Sequence, residues 1–145
     1  MRAQLINEEP ERVFALVFNK GEEVMSELAA FVNDRNLTAG HFTAIGAFRD
    51  CTLGFFDPEA KEFQRIPVNE QVTVLSLVGD IALQDLNPTI HAHTVIGKAS
   101  GLACGGHLIE AHVWPTLEMI LTIPPTYLKR KVDPETGLAL IDMEP

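Results

Sequence analysis

The spacing of hydrophobic and polar residues changes along this chain from strand-like to helical and back to strand-like. Residues 13–18 (VFALVF) are continuously apolar and rich in strand formers, which predicts a strand covered on both faces. Gly21 then opens a predicted helix whose first turn carries Glu22 and Glu23, the favourable charge for a helix N-terminus. The helix is predicted to end within residues 33–36. Its apolar residues form one stripe at helical spacing, namely Val24, Met25, Leu28, Phe31 and Val32.

After the helix, the pattern predicts short strands separated by turn residues such as Asp57-Pro58-Glu59 and Asn87-Pro88. The predicted strands are 41–47, 51–56, 62–67, 71–83, 89–97, 107–114 and 117–123, and the apolar run 138–141 predicts an edge strand. One helix followed by about seven strands predicts a single α+β domain over residues 1–145. We expect its sheet to be mostly antiparallel and partly barrel-like.

Composition and charge narrow the class of protein. The chain has 145 residues, of which 46% are hydrophobic and 21% charged, as is typical of one globular domain. Its net charge of −9 argues against autonomous DNA binding, because affinity for nucleic acid comes largely from Lys and Arg side chains that displace counterions. The basic cluster Lys129-Arg130-Lys131 is therefore expected to be solvated surface.

The cysteines and the N-terminal residues indicate the cellular compartment of the protein. Cys51 and Cys104 are too few for a disulfide scaffold, and we expect both to be buried free thiols in a reducing compartment. The first residues lack the apolar core of a secretory signal, and no apolar run approaches the roughly 18 residues that a membrane helix requires. We therefore expect a cytoplasmic protein without membrane contact.

The segment 89–95 (TIHAHTV) carries the first candidate chemistry. Side chains alternate along a strand, so His91 and His93 share one face with Thr89 and Val95 while the intervening residues point to the core. Two imidazoles at this spacing can converge on one metal ion at about 2.0–2.1 Å each. The alternative is a polar strand face with two solvated histidines.

Gly105-Gly106-His107 supplies a third candidate ligand. Paired glycines permit backbone conformations and close approaches that other residues resist. If the following strand pairs beside 89–97, His107 completes a three-nitrogen site with an open coordination position, as in catalytic zinc sites. Neutral imidazole also suits iron, copper or nickel, so the divalent metal is not fixed as zinc. The alternative is a glycine turn with a capping histidine.

Two further residues, Glu110 and His112, are second-tier candidates, and Glu118 is the candidate catalytic residue. Glu110 and His112 fall on the opposite face from His107 if the strand is regular, although a bulge at the glycines would change that parity. Glu118 is a candidate to orient a histidine or to act as a general base, with a solvated surface glutamate as the alternative. His41 has no companion and is expected to be structural.

The histidine motifs resemble the signature of the PPC (Plants and Prokaryotes Conserved) domain. The resemblance rests on His91-Ala92-His93, Gly101 and Gly105-Gly106-His107-Leu108, and it continues in Lys20-Gly21-Glu22-Glu23, Ala44-Ile45-Gly46-Ala47 and Val74-Leu75-Ser76-Leu77 with Gly79. It implies a compact α/β domain built on an antiparallel sheet that assembles as a homotrimer. It also implies that His91, His93 and His107 are the family histidines and bind a metal near a subunit boundary.

The resemblance also bears on partners. In plants this domain follows an AT-hook, an Arg-Gly-Arg-Pro segment that grips the minor groove of A·T-rich DNA, and this sequence contains no such segment. Gln71-Val72-Thr73 stand where plant members have Arg-Phe-Glu. Three functions stay open: a trimeric module with a protein or small-molecule partner and a transcription-related role, a metal-dependent enzyme acting on a small molecule, and a structural site at a trimer interface.

Overall fold

The computed structural model describes residues 1–7, 9–125 and 128–142, which form one helix and nine strands. In chain order the elements are β1 (Arg2–Asn7), β2 (Arg12–Phe18), α1 (Val24–Asp34), β3 (Ala39–Asp57), β4 (Glu62–Val68), β5 (Val72–Gln84), β6 (Asn87–Gly97), β7 (Ala103–Ile123), β8 (Lys129–Val132) and β9 (Ala139–Asp142). Within these ranges, no helix is long and apolar enough to cross a membrane.

The strands form one sheet whose hydrogen bonding closes on itself. β3 pairs with β7 and β5, β5 pairs with β6, and β6 pairs back with β7 over residues 93–97. These four pairings are antiparallel, whereas β5 and β8 pair in parallel. β2 and β1 extend from β7, β4 extends from β3, and β9 extends from β8. The predicted antiparallel sheet is confirmed, and its closed part is a ring of four strands.

Helix α1 packs the predicted apolar stripe into the core. Phe31 contacts Phe14 of β2 edge to face, with ring centroids 5.4 Å apart. Met25 is only partly buried against this core. The fully buried part of the stripe consists of Val24, Leu28, Phe31 and Val32. The described residues share a single hydrophobic core, which agrees with the predicted single domain.

The helix begins later than predicted, because Glu23 caps it instead of lying in its first turn. The carboxylate of Glu23 accepts hydrogen bonds from the backbone N–H groups of Met25 at 3.0 Å and Ser26 at 2.7 Å. It also accepts one from the N–H of Ala111 on β7 at 3.0 Å. Glu23 thus ties the start of the helix to the strand that carries His107.

Two pairs of predicted strands are continuous in the structure. The predicted strands 41–47 and 51–56 merge into β3, and 107–114 and 117–123 merge into β7. The β3–β7 register shifts between Gly46, which pairs with Leu117, and Phe48, which pairs with Val113. Pro115, which has no N–H to donate, lies inside this irregularity. A bulge therefore absorbs the residues that the sequence pattern assigns to a turn.

The edges of the sheet also differ from the prediction. Asn87-Pro88 belongs to β6, and the turn before it is made by Asp85 and Leu86, whose φ angles are 49° and 66°. The predicted edge strand at 138–141 is confirmed as β9. Neither β1 nor β8 is predicted by the sequence pattern; β8 is short and rich in basic residues, which normally indicates solvated surface.

Candidate metal centre

Strand β6 presents its two histidines on the face turned away from the core. Ala92, Thr94 and Ile96 are buried, whereas His91 is half-buried and His93 is exposed. This alternation follows the predicted parity. It places two imidazoles side by side, with their ring centroids 4.7 Å apart.

Strand β7 adds the third imidazole, because His107 is the direct register partner of His93. The ring centroid of His107 lies 5.1 Å from that of His91 and 5.7 Å from that of His93. One nitrogen from each of the three rings lies within 4.8 Å of the other two. Ions bound by imidazole take nitrogens at about 2.0–2.1 Å, so small rotations of these rings would bring three nitrogens at this spacing around one ion.

The paired glycines lie inside β7 and not in a turn, so the reading of His107 as a turn cap is wrong. A Cβ atom on Gly105 would lie 2.5 Å from the carbonyl oxygen of Thr94, and one on Gly106 would lie 2.7 Å from that of Gly54. Both contacts are far shorter than a real Cβ tolerates. The glycines therefore let β7 approach β6 on one side and β3 on the other, with His107 between them.

Within the described part of the chain, packing against an aromatic ring holds the His107 side chain. Phe63 of β4 stacks on it with ring centroids 4.4 Å apart and an interplanar angle of 24°. Its Nδ1 atom is buried and has no hydrogen-bond partner among the described residues. Because a buried polar atom normally has a partner, this nitrogen is suited to a ligand that the protein chain does not supply.

Burial and the neighbouring imidazoles lower the pKa of two of the three histidines, His91 and His107. Burial, together with the neighbouring His91 and His93, lowers the pKa of His107 to about 4. Burial, followed by His93 and Arg130, lowers the pKa of His91, against the opposing charge of Asp80. Metal ions bind the neutral form of imidazole. At neutral pH, His91 and His107 therefore already offer free nitrogen lone pairs.

Two cavities flank the histidines and share four lining residues, which are Phe56, Phe63, His93 and His107. The first, which we call the sheet cavity, has a volume of about 370 Å³ and is also lined by Phe55, Val78 and Val95. The second, which we call the hairpin cavity, has a volume of about 350 Å³ and is also lined by His91, Arg130 and Leu140. None of the described residues that line either cavity is a carboxylate.

Arg130 corrects the expectation that its basic cluster is solvated. Its side chain is only 7% exposed. Nη1 donates to the carbonyl oxygen of Ala139 at 2.7 Å, and Nη2 donates to the carboxylate of Asp80. The sequence offers no signal for this burial, because the position of β8 beside β5 depends on long-range pairing.

Glu110 and His112 do not join the cluster. Leu108 and Ala111 are both buried, and the β3–β7 register skips Ile109, so a bulge reverses the parity of β7 after His107. The strand is thus irregular at Ile109 and not at the glycines. The reversal turns Glu110 and His112 to the same outward face as His107, but both have partners of their own. Glu110 accepts a hydrogen bond from Arg65 at 3.2 Å, and Nδ1 of His112 lies 2.6 Å from the carboxylate of Asp50.

The remaining candidates lie elsewhere. Glu118 is exposed and lines a hollow with Ile45 and Leu75 that contains no histidine among the described residues. His41 is also exposed and outside the cluster. Neither is therefore placed to act directly on a ligand of the three histidines.

Both cysteines are free, but only one matches the expectation of burial. Cys51 is buried and Cys104 is exposed. Burial, with smaller contributions from Cys104 and Asp50, raises the pKa of the Cys51 thiol to about 11. Neither thiol lies in the group of side chains that could hold a metal ion.

Comparison with solved structures identifies similar proteins of nearly the same length. A metal-containing protein of Archaeoglobus fulgidus is 29% identical, with a TM-score of 0.82 over 97% of this chain and 96% of that one. A plant- and prokaryote-conserved (PPC) protein of Pyrococcus horikoshii is 27% identical, with a TM-score of 0.84 over 99% and 96% of the two chains. A protein of Ralstonia eutropha, provisionally described as DNA-binding, is 28% identical, with a TM-score of 0.83 over 90% and 91%.

No curated protein matches this chain. The model of the Plants and Prokaryotes Conserved (PCC) domain, the family also abbreviated PPC, matches residues 6–123. This match contains β2 to β7, the helix and all three clustered histidines. The chain therefore belongs to the Plants and Prokaryotes Conserved domain family.

Proposed function

We propose that this protein is a metal-binding module in which His91, His93 and His107 hold one divalent transition-metal ion. The observation that carries the proposal is the convergence of their three nitrogens within 4.8 Å. Three neutral imidazoles leave a fourth coordination position open in a tetrahedral ion. When bound, such an ion polarises a ligand oxygen or lowers the pKa of a bound water. The metal-containing relative from Archaeoglobus fulgidus supports the proposal. Zinc is the first candidate, and iron, copper and nickel share its preference for imidazole.

Elemental analysis of the purified protein tests the site. We expect near-stoichiometric metal in the wild type and loss of that metal in His91→Ala and in His107→Ala. His41→Ala is the matched control, because it also removes an imidazole but from outside the cluster. If wild-type protein takes up no zinc, iron, copper or nickel under any loading condition, the proposal is wrong.

We further propose that the module is a homotrimer, in which copies of the chain cover an exposed apolar face of the ring. Val78 of β5, Thr43 of β3 and Ile120 of β7 are direct register partners, so the two exposed apolar side chains lie in one row. Val78 and Val95, both exposed, also line the sheet cavity beside His93. Burying this apolar face between subunits would remove it from water and would bring a second chain close to the histidines.

Light scattering on the purified protein tests this assembly. We expect a mass three times that of the 16.0 kDa chain, and smaller species for Val78→Lys and Ile120→Lys. Leu86→Lys is the control, because Leu86 is exposed in the turn before β6 and outside this face. A monomeric wild type at micromolar concentration would rule out the trimer.

The open coordination position and the cavities favour action on a small molecule over a purely structural site. A metal held only for structure usually has four protein ligands, and here three histidines face two cavities. A structure of the zinc-loaded protein separates the two: a water or small ligand in the fourth position supports the small-molecule role, and a fourth protein ligand supports the structural one. Glu118 does not line either cavity, so this proposal gives it no general-base role.

DNA binding is a second candidate because the relative from Ralstonia eutropha carries that provisional description. Charge opposes it. Four of the basic side chains pair with carboxylates: Arg49 with Asp50, Arg65 with Glu110, Lys98 with Glu70 and Arg130 with Asp80. We therefore expect no gel shift of A·T-rich duplex at low salt. A shift that weakens steeply with added salt would instead support direct DNA binding.

A further inference from the structure

We propose that the hairpin cavity binds a small 2-hydroxy or 2-oxo carboxylate, whose carboxylate faces Arg130 and whose second oxygen reaches the metal ion. The inference rests on the proposed metal function, because the second oxygen needs the open coordination position. Three steps support it: the unfulfilled hydrogen bonding of Arg130, the character of the cavity walls, and the position of Arg130 beside His91.

Arg130 is a buried cation with donors to spare. Its side chain is 7% exposed, and a guanidinium carries five N–H donors. Ala139 and Asp80 each accept one hydrogen bond, and the Nε atom is buried without any partner in the described part of the chain. A guanidinium so incompletely satisfied favours an additional acceptor, and its planar fork matches a carboxylate.

The lining of the hairpin cavity favours a small, mostly apolar ligand that carries one anionic group. Phe56, Phe63, Ile90 and Leu140 supply apolar surface, and Arg130 is the charged residue among the described lining residues. Asp80 is absent from that lining, so its carboxylate fixes the guanidinium without facing the ligand. The volume of about 350 Å³ lies at the small end of the range for ligand pockets.

Arg130 also lies next to the histidines. Asp80, which accepts its hydrogen bond, is the direct register partner of His91 across the β5–β6 pair. Arg130 and His91 line the same cavity and interact electrostatically. A ligand with its two polar groups on adjacent carbons can therefore use both: the carboxylate for the guanidinium, and a hydroxyl or carbonyl oxygen for the metal ion.

The element that supplies Arg130 lies outside the family match. The match ends at residue 123, whereas β8 and β9 span Lys129–Val132 and Ala139–Asp142. The three histidines thus lie within the matched domain, and the charged wall of the cavity comes from the hairpin that follows it. We therefore infer that the β8–β9 hairpin determines which ligand the cavity selects.

Calorimetric titration of the zinc-loaded protein with 2-hydroxybutyrate and with its neutral amide tests the inference. We expect the wild type to bind the acid roughly 10- to 100-fold more tightly than the amide, the range expected for a charge-assisted hydrogen bond. Arg130→Met should abolish this preference, and Arg130→Lys should keep only part of it. Lys131→Met is the matched control, because it removes the same charge from the next residue of β8, and it should keep the full preference.

Metal content, measured in every variant, separates this inference from the proposed function. A wild type that holds zinc but binds acid and amide equally, or binds neither, overturns the carboxylate inference and leaves the metal site standing. An acid preference that persists in metal-loaded Arg130→Met overturns it as well. If no metal binds at all, the same pair of probes is compared on metal-free protein, where a preference that depends on Arg130 supports the carboxylate part and its absence overturns it. If Arg130→Met fails to fold, Arg130→Lys decides: an undiminished preference overturns the inference, and a reduced one supports it.

Discussion

His107 and His112 lie on the same strand but in opposite chemical situations. Nδ1 of His112 lies 2.6 Å from the carboxylate of Asp50, which also accepts a hydrogen bond from Arg49. Nδ1 of His107 is buried without a partner among the described residues, and its ring faces two other imidazoles and Phe63. His112 stands apart from the other histidines, whereas His107 lies in a group whose three ring nitrogens converge within 4.8 Å of one another. Convergence with other imidazoles, more than presence on the strand, therefore distinguishes the ligand candidate from the structural histidine.

The strongest test of this comparison removes the imidazoles of His107 and His112 in turn. We expect His107→Ala to weaken zinc affinity by more than about 100-fold, because changes to residues that merely support metal ligands already cost about 10- to 100-fold. His112→Ala should change the affinity by less than about threefold. Competition with a chromogenic zinc chelator measures both. Equal losses in the two variants would contradict the distinction.

The glycines beside His107 test whether backbone approach builds the site. Gly105→Ala places a Cβ atom 2.5 Å from the carbonyl oxygen of Thr94, and we expect a loss of about 1–3 kcal/mol in the free energy of unfolding, with weaker zinc binding. Gly97→Ala is the control on the same strand pair, since its Cβ would meet only the flexible side chain of Leu75 at 3.3 Å. Urea denaturation measures both variants. Equal stabilities would show that β7 can move away without loss.

Acid should destabilise the metal-free protein through His107. Its pKa is about 4 in the folded chain, against an ordinary value of 6.5. Between these two pH values the unfolded chain binds a proton that the folded chain does not, so the free energy of unfolding falls as pH drops through this window. His107→Gln should remove this part of the slope, and His112→Gln should keep it. Urea denaturation at several pH values in the window measures the effect, and an unchanged slope in His107→Gln would contradict it.

We expect the smallest effect on zinc affinity from a change to Phe63, whose ring packs on His107. Phe63→Leu keeps an apolar side chain but removes the stacking, and we expect zinc affinity to fall about two- to tenfold, in line with the usual strength of aromatic pairs. Phe55→Leu, at an exposed position in the sheet cavity, should leave the affinity nearly unchanged. The same chelator competition applies, and an unaltered Phe63→Leu would mean that stacking does not orient the imidazole.

The three histidines could be predicted as a group because they are local in sequence. His91 and His93 follow from strand alternation, and His107 joins them across the β6–β7 pair, whose strands are separated by residues 98–102 alone. The helix and most strands also follow from periodicity. Short-range sequence patterns therefore predict well the helix, most of the strands and the β6–β7 hairpin.

The rest of the site depends on pairings between distant segments. Phe63 reaches His107 through β4 and β3, and Arg130 reaches the cavity through the parallel pairing of β8 with β5. Bulges are equally hard to read: the one at Ile109 reverses the parity of Glu110 and His112, and the one around Pro115 joins two predicted strands. Each of these features is decided by how strands fit together in the sheet, which a single stretch of sequence does not record.

The closed pairing of β3, β5, β6 and β7 has a consequence for hydrogen exchange. Each of these strands has hydrogen-bonded neighbours on both sides, whereas β1, β4 and β9 each pair with one strand among the described residues. Amide protons in the ring can exchange with solvent only when a pairing of the ring opens, so they are expected to be protected as one cooperative unit, and those of the outer strands to exchange first. An ion held by His91 and His93 on one strand and His107 on the next would bridge one pairing of that ring, and its arrival would slow exchange throughout the unit by mass action.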